Sequence, residues 1–145
     1  MAIPNIFISH RWAYSVDYTS LTSKLKSYCL KYYDYSVPEI DPFDLKKKKE
    51  IKEALKEQIR QCNYFIVFAN MAMNNSEWVE YEIKIATYYN KPILSIIPHG
   101  YKGNVPKFIQ IADTEGGPVG FNTPSIIKKI CTKLAHPIPK ELQNG

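Results

Sequence analysis

Short apolar runs along the chain predict the strands of a parallel sheet. Asn5–Ser9 (NIFIS), Tyr64–Phe68 (YFIVF) and Pro92–Ile97 (PILSII) consist mostly of apolar side chains. Such runs are typical of strands that helices cover on both faces. Ser36–Asp44 (SVPEIDPFD) holds two prolines and three acids, which predicts a short edge strand running into a loop.

Four longer segments carry apolar side chains at helical spacing, which predicts amphipathic helices. They run from about Asp17 to Tyr33, from Leu45 to Gln61, from a cap at Asn74 or Asn75 to Asn90, and from Thr123 to Leu134. The expected core positions of the second and fourth helices are Ile51, Leu55, Ile59, Ile126, Ile127, Ile130 and Leu134. Between the third strand-like run and the last helix, the stretch VPKFIQI predicts a short helix or an edge strand.

The alternation of strands and helices predicts an α/β fold. We expect a mostly parallel five-stranded sheet, flavodoxin-like in its order 2-1-3-4-5, with helices on both faces. Residues 1–136 should form one domain and residues 137–145 a loose C-terminal tail. In such sheets ligands bind beyond the carboxyl ends of the strands, where the strand order reverses. That point is flanked by the residues that follow the first and third strands, namely Ser9, His10, Arg11, Trp12, Ala69 and Asn70.

The composition is that of one globular domain, with 145 residues, 45% of them hydrophobic, and a net charge of +5. The positive excess is concentrated in Lys46–Lys49, which we interpret as a solvated basic face rather than a nucleic-acid or membrane surface. No window approaches the roughly 20 apolar residues of a membrane span, and the N-terminus lacks a targeting pattern. Cys29, Cys62 and Cys131 show neither a CxxC pair nor metal-ligand spacing, which predicts reduced core residues in a cytoplasmic protein.

The residues at the strand ends exclude several enzyme classes that share such a fold. A phosphoacceptor receiver domain needs acids after the first strand and an aspartate closing the third, where this chain has Ser-His-Arg and Ala-Asn. A Rossmann, P-loop or flavodoxin phosphate site needs closely spaced glycines, and the first glycine of the chain is Gly100. A Ser-His-Asp triad is poorly supported, because Ser9 and His10 are adjacent on an extended strand and no nucleophile elbow is present.

The stretch SEWVEYE, residues 76–82, contains one glutamate that does not fit a solvated helix face. At about 100° per residue, Trp78 and Ile83 lie on a broad apolar arc and Glu80 lies opposite. Glu82 follows Trp78 by four residues, falls roughly 40° from it and therefore sits near the middle of the apolar arc. We expect the Glu82 carboxylate to face inward, toward the strand ends.

An inward carboxylate beside the strand ends suggests cleavage of an N-glycosidic bond. Glu82 could stabilise the positive charge that develops on a ribose, as glycosidase carboxylates do. Arg11 could hold a phosphate, and Trp12 or Trp78 could stack on a base or pyridinium ring. Structural roles stay open for the same residues. Glu82 could form an ion pair with Arg11 or Lys91, and Arg11 could pair with Asp41 or Asp44. Trp78 could be a core residue, and His10 could be a hydrogen-bonded polar residue at the strand end.

The chain resembles TIR domains in three places. IFISHRW, residues 6–12, is similar to their strand-one motif, SVPEIDPFD occupies the place of their BB loop, and SEWVEYE matches the S-x-W-x-x-x-E motif of NAD-cleaving TIR enzymes. The similarity runs from about Asn5 to Leu134. It is greatest to the TIR-like subunit of the Thoeris anti-phage system, the ThsB family.

The resemblance implies an NAD+ glycohydrolase or ADP-ribosyl cyclase with Glu82 as its catalytic residue. We therefore expect the substrate pocket to be lined by Ser9, His10, Arg11, Trp12, Asp41, Asn70, Ser76 and Trp78. The resemblance also implies NAD+ as a substrate without a cofactor or metal, a cyclic ADP-ribose-type signal that activates a separate effector, and self-association. Hydrolysis and cyclisation both stay open, as do two other functions, a non-catalytic TIR interaction module and a nucleoside deoxyribosyltransferase.

Overall fold

The computed structural model describes residues 4–9, 16–33 and 43–143, with the backbone alone for residues 16 and 71–76. The strands are β1 (Asn5–Ser9), β2 (Lys31–Tyr33), β3 (Tyr64–Phe68), β4 (Ile93–Ile97) and β5 (Val119–Gly120). The helices are α1 (Val16–Ser27), α2 (Leu45–Gln61), α3 (Ala72–Tyr88), α4 (Lys107–Ala112) and α5 (Thr123–Lys133). None of the helices in these ranges is long and apolar enough to cross a membrane.

Within the described residues, the strands form one parallel sheet in the order β2-β1-β3-β4-β5. This order confirms the flavodoxin-like α/β fold expected from the sequence. Ser9 of β1 pairs with Val67 of β3, and Val67 pairs with Ser95 of β4. The carboxyl ends of these three strands therefore share one edge of the sheet, and the strand order reverses there between β1 and β3.

Helices cover both faces of the sheet because successive strand side chains point to opposite sides. Ile6 and Ile8 of β1 join the core beneath α1 and α5, whereas Phe7 joins the core beneath α2, α3 and α4. All five side chains of β3 are buried, as expected for a strand covered on both faces. By the same alternation Ser9 points toward the α2 and α3 side.

α1 ends earlier than the sequence predicts, and β2 follows it. The expected helix to Tyr33 is wrong, because α1 ends at Ser27. Cys29 has a left-handed φ of 61°, and the Leu30 amide donates to the Leu25 carbonyl at 2.8 Å. This Schellman geometry terminates helices, usually with glycine at the left-handed position. Because cysteine rather than glycine occupies this position, the sequence gives no signal that the helix ends here.

β2 also takes the place of the edge strand that SVPEIDPFD predicts. Residues 36–42 of that segment lie outside the described residues. Asp44 is instead the cap of α2, and its Oδ1 accepts from the Lys47 amide at 3.0 Å. α2 itself has the predicted bounds, with the three expected positions buried, Ile51, Leu55 and Ile59.

α3 begins before the position that the sequence predicts. The chain passes from β3 into a 3₁₀ turn at Ala69–Met71, and α3 continues from it at Ala72. The caps expected at Asn74 or Asn75 are therefore wrong, because both residues already lie inside the helix. The end is close to the expected one, since Asn90 adopts a left-handed φ of 55° two residues after α3, a role that asparagine tolerates.

The last helix and the segment after it are better anchored than expected. Asn122 caps α5, with its Oδ1 accepting from the Ser125 amide at 3.0 Å, one residue before the cap expected at Thr123. Leu142 is only 7% exposed and belongs to the core beneath α1 and α5. The expectation of a loose segment after His136 is thus contradicted. VPKFIQI covers most of α4, so this stretch forms the helix rather than the edge strand that was also expected.

The cysteines are free thiols, but one of them is not a core residue. Cys62 and Cys131 are buried as expected, whereas Cys29 is exposed because it occupies the turn after α1. Burial raises the pKa of the Cys62 thiol to about 11. Because the thiolate is the reactive form, Cys62 should react more slowly than a thiol of ordinary pKa.

Candidate active site

Ser9 and Glu82 meet at the carboxyl end of β1. Ser9 is the last residue of β1 and Glu82 lies in α3, and both side chains are 0% exposed. The Ser9 hydroxyl donates to Glu82 Oε1 at 2.9 Å. This bond holds a carboxylate at the edge of the sheet where the strand order reverses.

The periodicity of α3 turns Glu82 inward. Val79, Ile83 and Ala86 are buried in the core beneath α2, α3 and α4, while Glu80 is exposed. Glu82 therefore lies among apolar helix positions, and the inward orientation predicted for it is confirmed. Lys91, one of the expected ion-pair partners of Glu82, donates instead to the Arg60 carbonyl at 2.9 Å.

Asn70 follows β3, the strand that pairs with β1 beside Ser9. It belongs to the 3₁₀ turn that follows β3, and it comes three residues after Val67, the register partner of Ser9. Asn70 Oδ1 is buried and has no hydrogen-bond partner among the residues that the structure describes. Buried polar atoms are normally hydrogen-bonded, so this oxygen is suited to accept from a donor on a bound molecule.

Several predicted pocket residues are not placed by the structure. His10, Arg11, Trp12 and Asp41 lie outside the described residues, and only the backbone of Ser76 is described, within α3. Their substrate contacts stay predictions. Trp78 is half-buried and packs against the core beneath α2, α3 and α4. This agrees with the core position that was the structural alternative for Trp78. Its stacking on a substrate ring stays a prediction.

Asp17 and His99 form a second polar pair at the carboxyl edge that the sequence interpretation missed. Asp17 is buried at the start of α1, and His99 follows β4 by two residues. His99 Nδ1 lies 2.8 Å from Asp17 Oδ1, and the His99 amide donates to Asp17 Oδ2 at 2.5 Å. The only available signal was the position of His99 just after a predicted strand, because its partner is 82 positions away.

The arrangement suits the stabilisation of positive charge. A carboxylate removed from water and fixed by a hydroxyl donor interacts more strongly with a nearby cation than a solvated one does. In the described ranges no group of three or more His, Cys, Asp or Glu side chains is placed to hold a metal ion. The carboxyl edge of the sheet carries the Glu82 carboxyl group bonded to Ser9 and the His99 imidazole bonded to Asp17.

We expect Ser9→Ala to lower the free energy of unfolding by about 1–3 kcal/mol. The change removes a hydrogen bond to a buried carboxylate, and bonds to charged groups contribute about 1.5–3 kcal/mol. Urea unfolding of the variant and the parent measures the difference. Ser27→Ala is the control, because the Ser27 hydroxyl donates to the Lys24 carbonyl at an exposed helix end and should change stability by under about 0.5 kcal/mol. Equal losses in the two variants would contradict a special role of the Ser9–Glu82 bond.

Comparison with known proteins identifies a family. The family model described as Thoeris protein ThsB, TIR-like domain, matches residues 7–103. No curated protein matches the chain. Among solved structures, a 2-deoxyribosyltransferase from the psychrotolerant bacterium Bacillus psychrosaccharolyticus is 12% identical, with a TM-score of 0.49 over 75% of this chain and 82% of that one. Similarity at this level does not indicate a shared function.

Proposed function

Because this chain belongs to the family of Thoeris ThsB TIR-like domains, we propose that it is an enzyme that cleaves the bond between nicotinamide and ribose in NAD+. The observation that carries the proposal is the fully buried Glu82, hydrogen-bonded to Ser9 at the end of β1. We place this activity in cytoplasmic anti-phage defence. The product would be a cyclic ADP-ribose-type signal that activates a separate effector protein.

Glu82 would act on the ribose as the glycosidic bond breaks. The bond between ribose C1′ and the nicotinamide nitrogen gives its electron pair to nicotinamide, which leaves as a neutral ring. Positive charge then develops on the ribose, and a fixed carboxylate stabilises it or captures it transiently. Attack by water yields hydrolysis, whereas attack by a hydroxyl or ring nitrogen of the same ADP-ribose yields a cyclic product.

The remaining pocket contacts follow from the residues around the strand ends. Arg11 would bind the diphosphate, Trp12 and Trp78 would stack on the rings, and Asn70 would accept from a ribose hydroxyl through its buried Oδ1. His10, Asp41 and Ser76 complete the expected lining of the pocket. Self-association of the domain would complete the pocket between copies.

The test is chromatography of NAD+ incubated with the purified protein across a range of protein concentrations. We expect release of nicotinamide and formation of ADP-ribose or a cyclic isomer. Filtrates of phage-infected cells that express the protein should contain a small molecule that activates the effector. Absence of turnover in both settings, with self-association retained, would favour an interaction module. Exchange of bases between deoxynucleosides would favour a deoxyribosyltransferase.

A further inference from the structure

The Asp17–His99 pair holds an imidazole in one orientation at the carboxyl edge of the sheet. The Asp17 carboxylate accepts from the His99 backbone amide at 2.5 Å and lies 2.8 Å from its Nδ1. A carboxylate only accepts hydrogen bonds, so the Nδ1 atom carries the proton. Nε2 of the neutral ring is then a proton acceptor.

One aromatic ring, itself held by a second, packs against the His99 ring. Phe121 meets it edge-on, with ring centroids 5.0 Å apart and an interplanar angle of 68°. Phe121 itself stacks on Phe68, the last residue of β3, at 6.4 Å. Despite these contacts the His99 side chain is 72% exposed, whereas that of Asp17 is 4% exposed. A buried anion thus orients a ring that remains accessible to a ligand, as in the His–Asp pairs of general-base catalysis.

This imidazole and the Glu82 carboxylate flank the end of β3 from opposite sides. Ser9, which binds Glu82, ends β1 on the α2 and α3 side. His99 follows β4 and contacts Asp17 of α1, which covers the other side. β3 lies between β1 and β4 in the sheet order, so both groups border the same stretch of the carboxyl edge.

We propose that His99 Nε2 takes the proton of the acceptor hydroxyl that attacks the ribose, and that Asp17 is its positioning residue. This role rests on the proposed cleavage of NAD+. Nicotinamide leaves as a neutral ring and needs no proton, so the acceptor O–H is the group that must lose one. Its O–H bond breaks, its oxygen forms the new bond to C1′, and the proton moves to Nε2. The resulting imidazolium is stabilised by the Asp17 carboxylate and later releases the proton to water.

The acceptor is a water molecule or a ribose hydroxyl at the adenosine end of the same dinucleotide. Both have the O–H group that a neutral imidazole can deprotonate. A ring nitrogen of adenine carries no such proton, and its attack would not use His99. The proposal therefore links His99 to hydrolysis or to an oxygen-linked cyclic product.

The decisive experiment compares net product formation with nicotinamide exchange. Labelled nicotinamide enters NAD+ when the glycosidic bond breaks and re-forms, and this exchange requires Glu82 but no acceptor hydroxyl. In His99→Gln we expect kcat for net product to fall about 100-fold, with exchange within about twofold of the parent. Asp17→Asn should behave similarly, because its amide group donates to Nδ1 and moves the ring proton to Nε2.

Two further variants separate catalysis from a structural role. His136→Gln is the control, because His136 Nδ1 lies 2.9 Å from the carbonyl of the adjacent Pro137, and it should leave both reactions unchanged. His99→Ala should regain net product when imidazole is added, which a structural role would not produce. If Asp17→Asn fails to fold, His99→Gln remains decisive, because its side chain is exposed.

Each outcome supports or overturns the role of His99. Net product in His99→Gln close to that of an active parent protein would overturn it and leave the proposed function intact. Loss of exchange together with net product, in a folded variant, would also overturn it, because His99 would then be needed before the acceptor step. A parent protein that catalyses neither reaction would overturn the proposed function and this role with it.

Discussion

Glu82→Gln is expected to lower the rate of nicotinamide release from NAD+ by at least about 1000-fold, equivalent to about 4 kcal/mol of transition-state stabilisation. Glutamine has nearly the same shape, and its amide oxygen can still accept from the Ser9 hydroxyl. The substitution therefore removes the negative charge and keeps the packing. A neutral amide cannot stabilise or capture a ribosyl cation as a carboxylate can. Timed chromatography of nicotinamide, at saturating NAD+, measures the effect.

Glu80→Gln provides the matched control for this substitution. Glu80 is two residues away on the same helix, but its side chain is exposed, so its charge should not contribute to catalysis. The Glu82→Gln protein should unfold at a urea concentration equal to or above that of the parent, because a buried charge carries a desolvation penalty. Release of nicotinamide at nearly the parental rate by folded Glu82→Gln would remove the basis of the proposed mechanism.

Phe65→Ala is expected to lower the free energy of unfolding by about 3–5 kcal/mol. Phe65 is fully buried in β3, and its ring stacks on Phe7 of β1 with a centroid distance of 5.4 Å and an interplanar angle of 7°. Truncation leaves a cavity between the sheet and the helices α2, α3 and α4 that cover this face, where close packing limits relaxation. The loss is a large part of the about 5–15 kcal/mol that stabilises a typical domain. Urea unfolding followed by tryptophan fluorescence measures it.

The control for Phe65→Ala is Phe43→Ala. Phe43 is 89% exposed, so the same truncation there removes little buried surface and should cost under about 0.5 kcal/mol. The slope of unfolding free energy against urea should stay unchanged in both variants, since the surface exposed on unfolding is nearly the same. A loss below about 1 kcal/mol for Phe65→Ala would show that the β1–β3 contact is not the centre of the core.

Most of the helices and strands could be predicted because their signals are local. α2 has its predicted bounds and buries the expected Ile51, Leu55 and Ile59, since a helical repeat over many residues is unambiguous. β3 could be predicted because an unbroken apolar run is typical of a strand that is buried on both faces. The failures lie where the signal is short: β2 has three residues, and the turn before it uses Cys29 where glycine is usual.

The candidate site could be predicted in part. The inward face of Glu82 followed from its place among Val79, Ile83 and Ala86, which is a property of one helix. The partner of its carboxylate did not follow, because Ser9 is 73 positions away and the bond depends on how α3 packs against β1. The role expected of Ser9 was a pocket contact, and the structure adds a hydrogen bond that fixes Glu82.

The pattern of apolar and polar positions was sufficient to predict the parallel α/β sheet and the burial of Glu82, and three short motifs carried the resemblance to TIR domains. Packing alone brought Asp17 to His99 and Ser9 to Glu82, and it placed the two pairs on opposite faces of the sheet. The physical reason is the distance along the chain over which each signal acts. Periodicity is local and shows which side of an element is buried. Contacts between distant elements depend on strand order, register and the helices that cover each face.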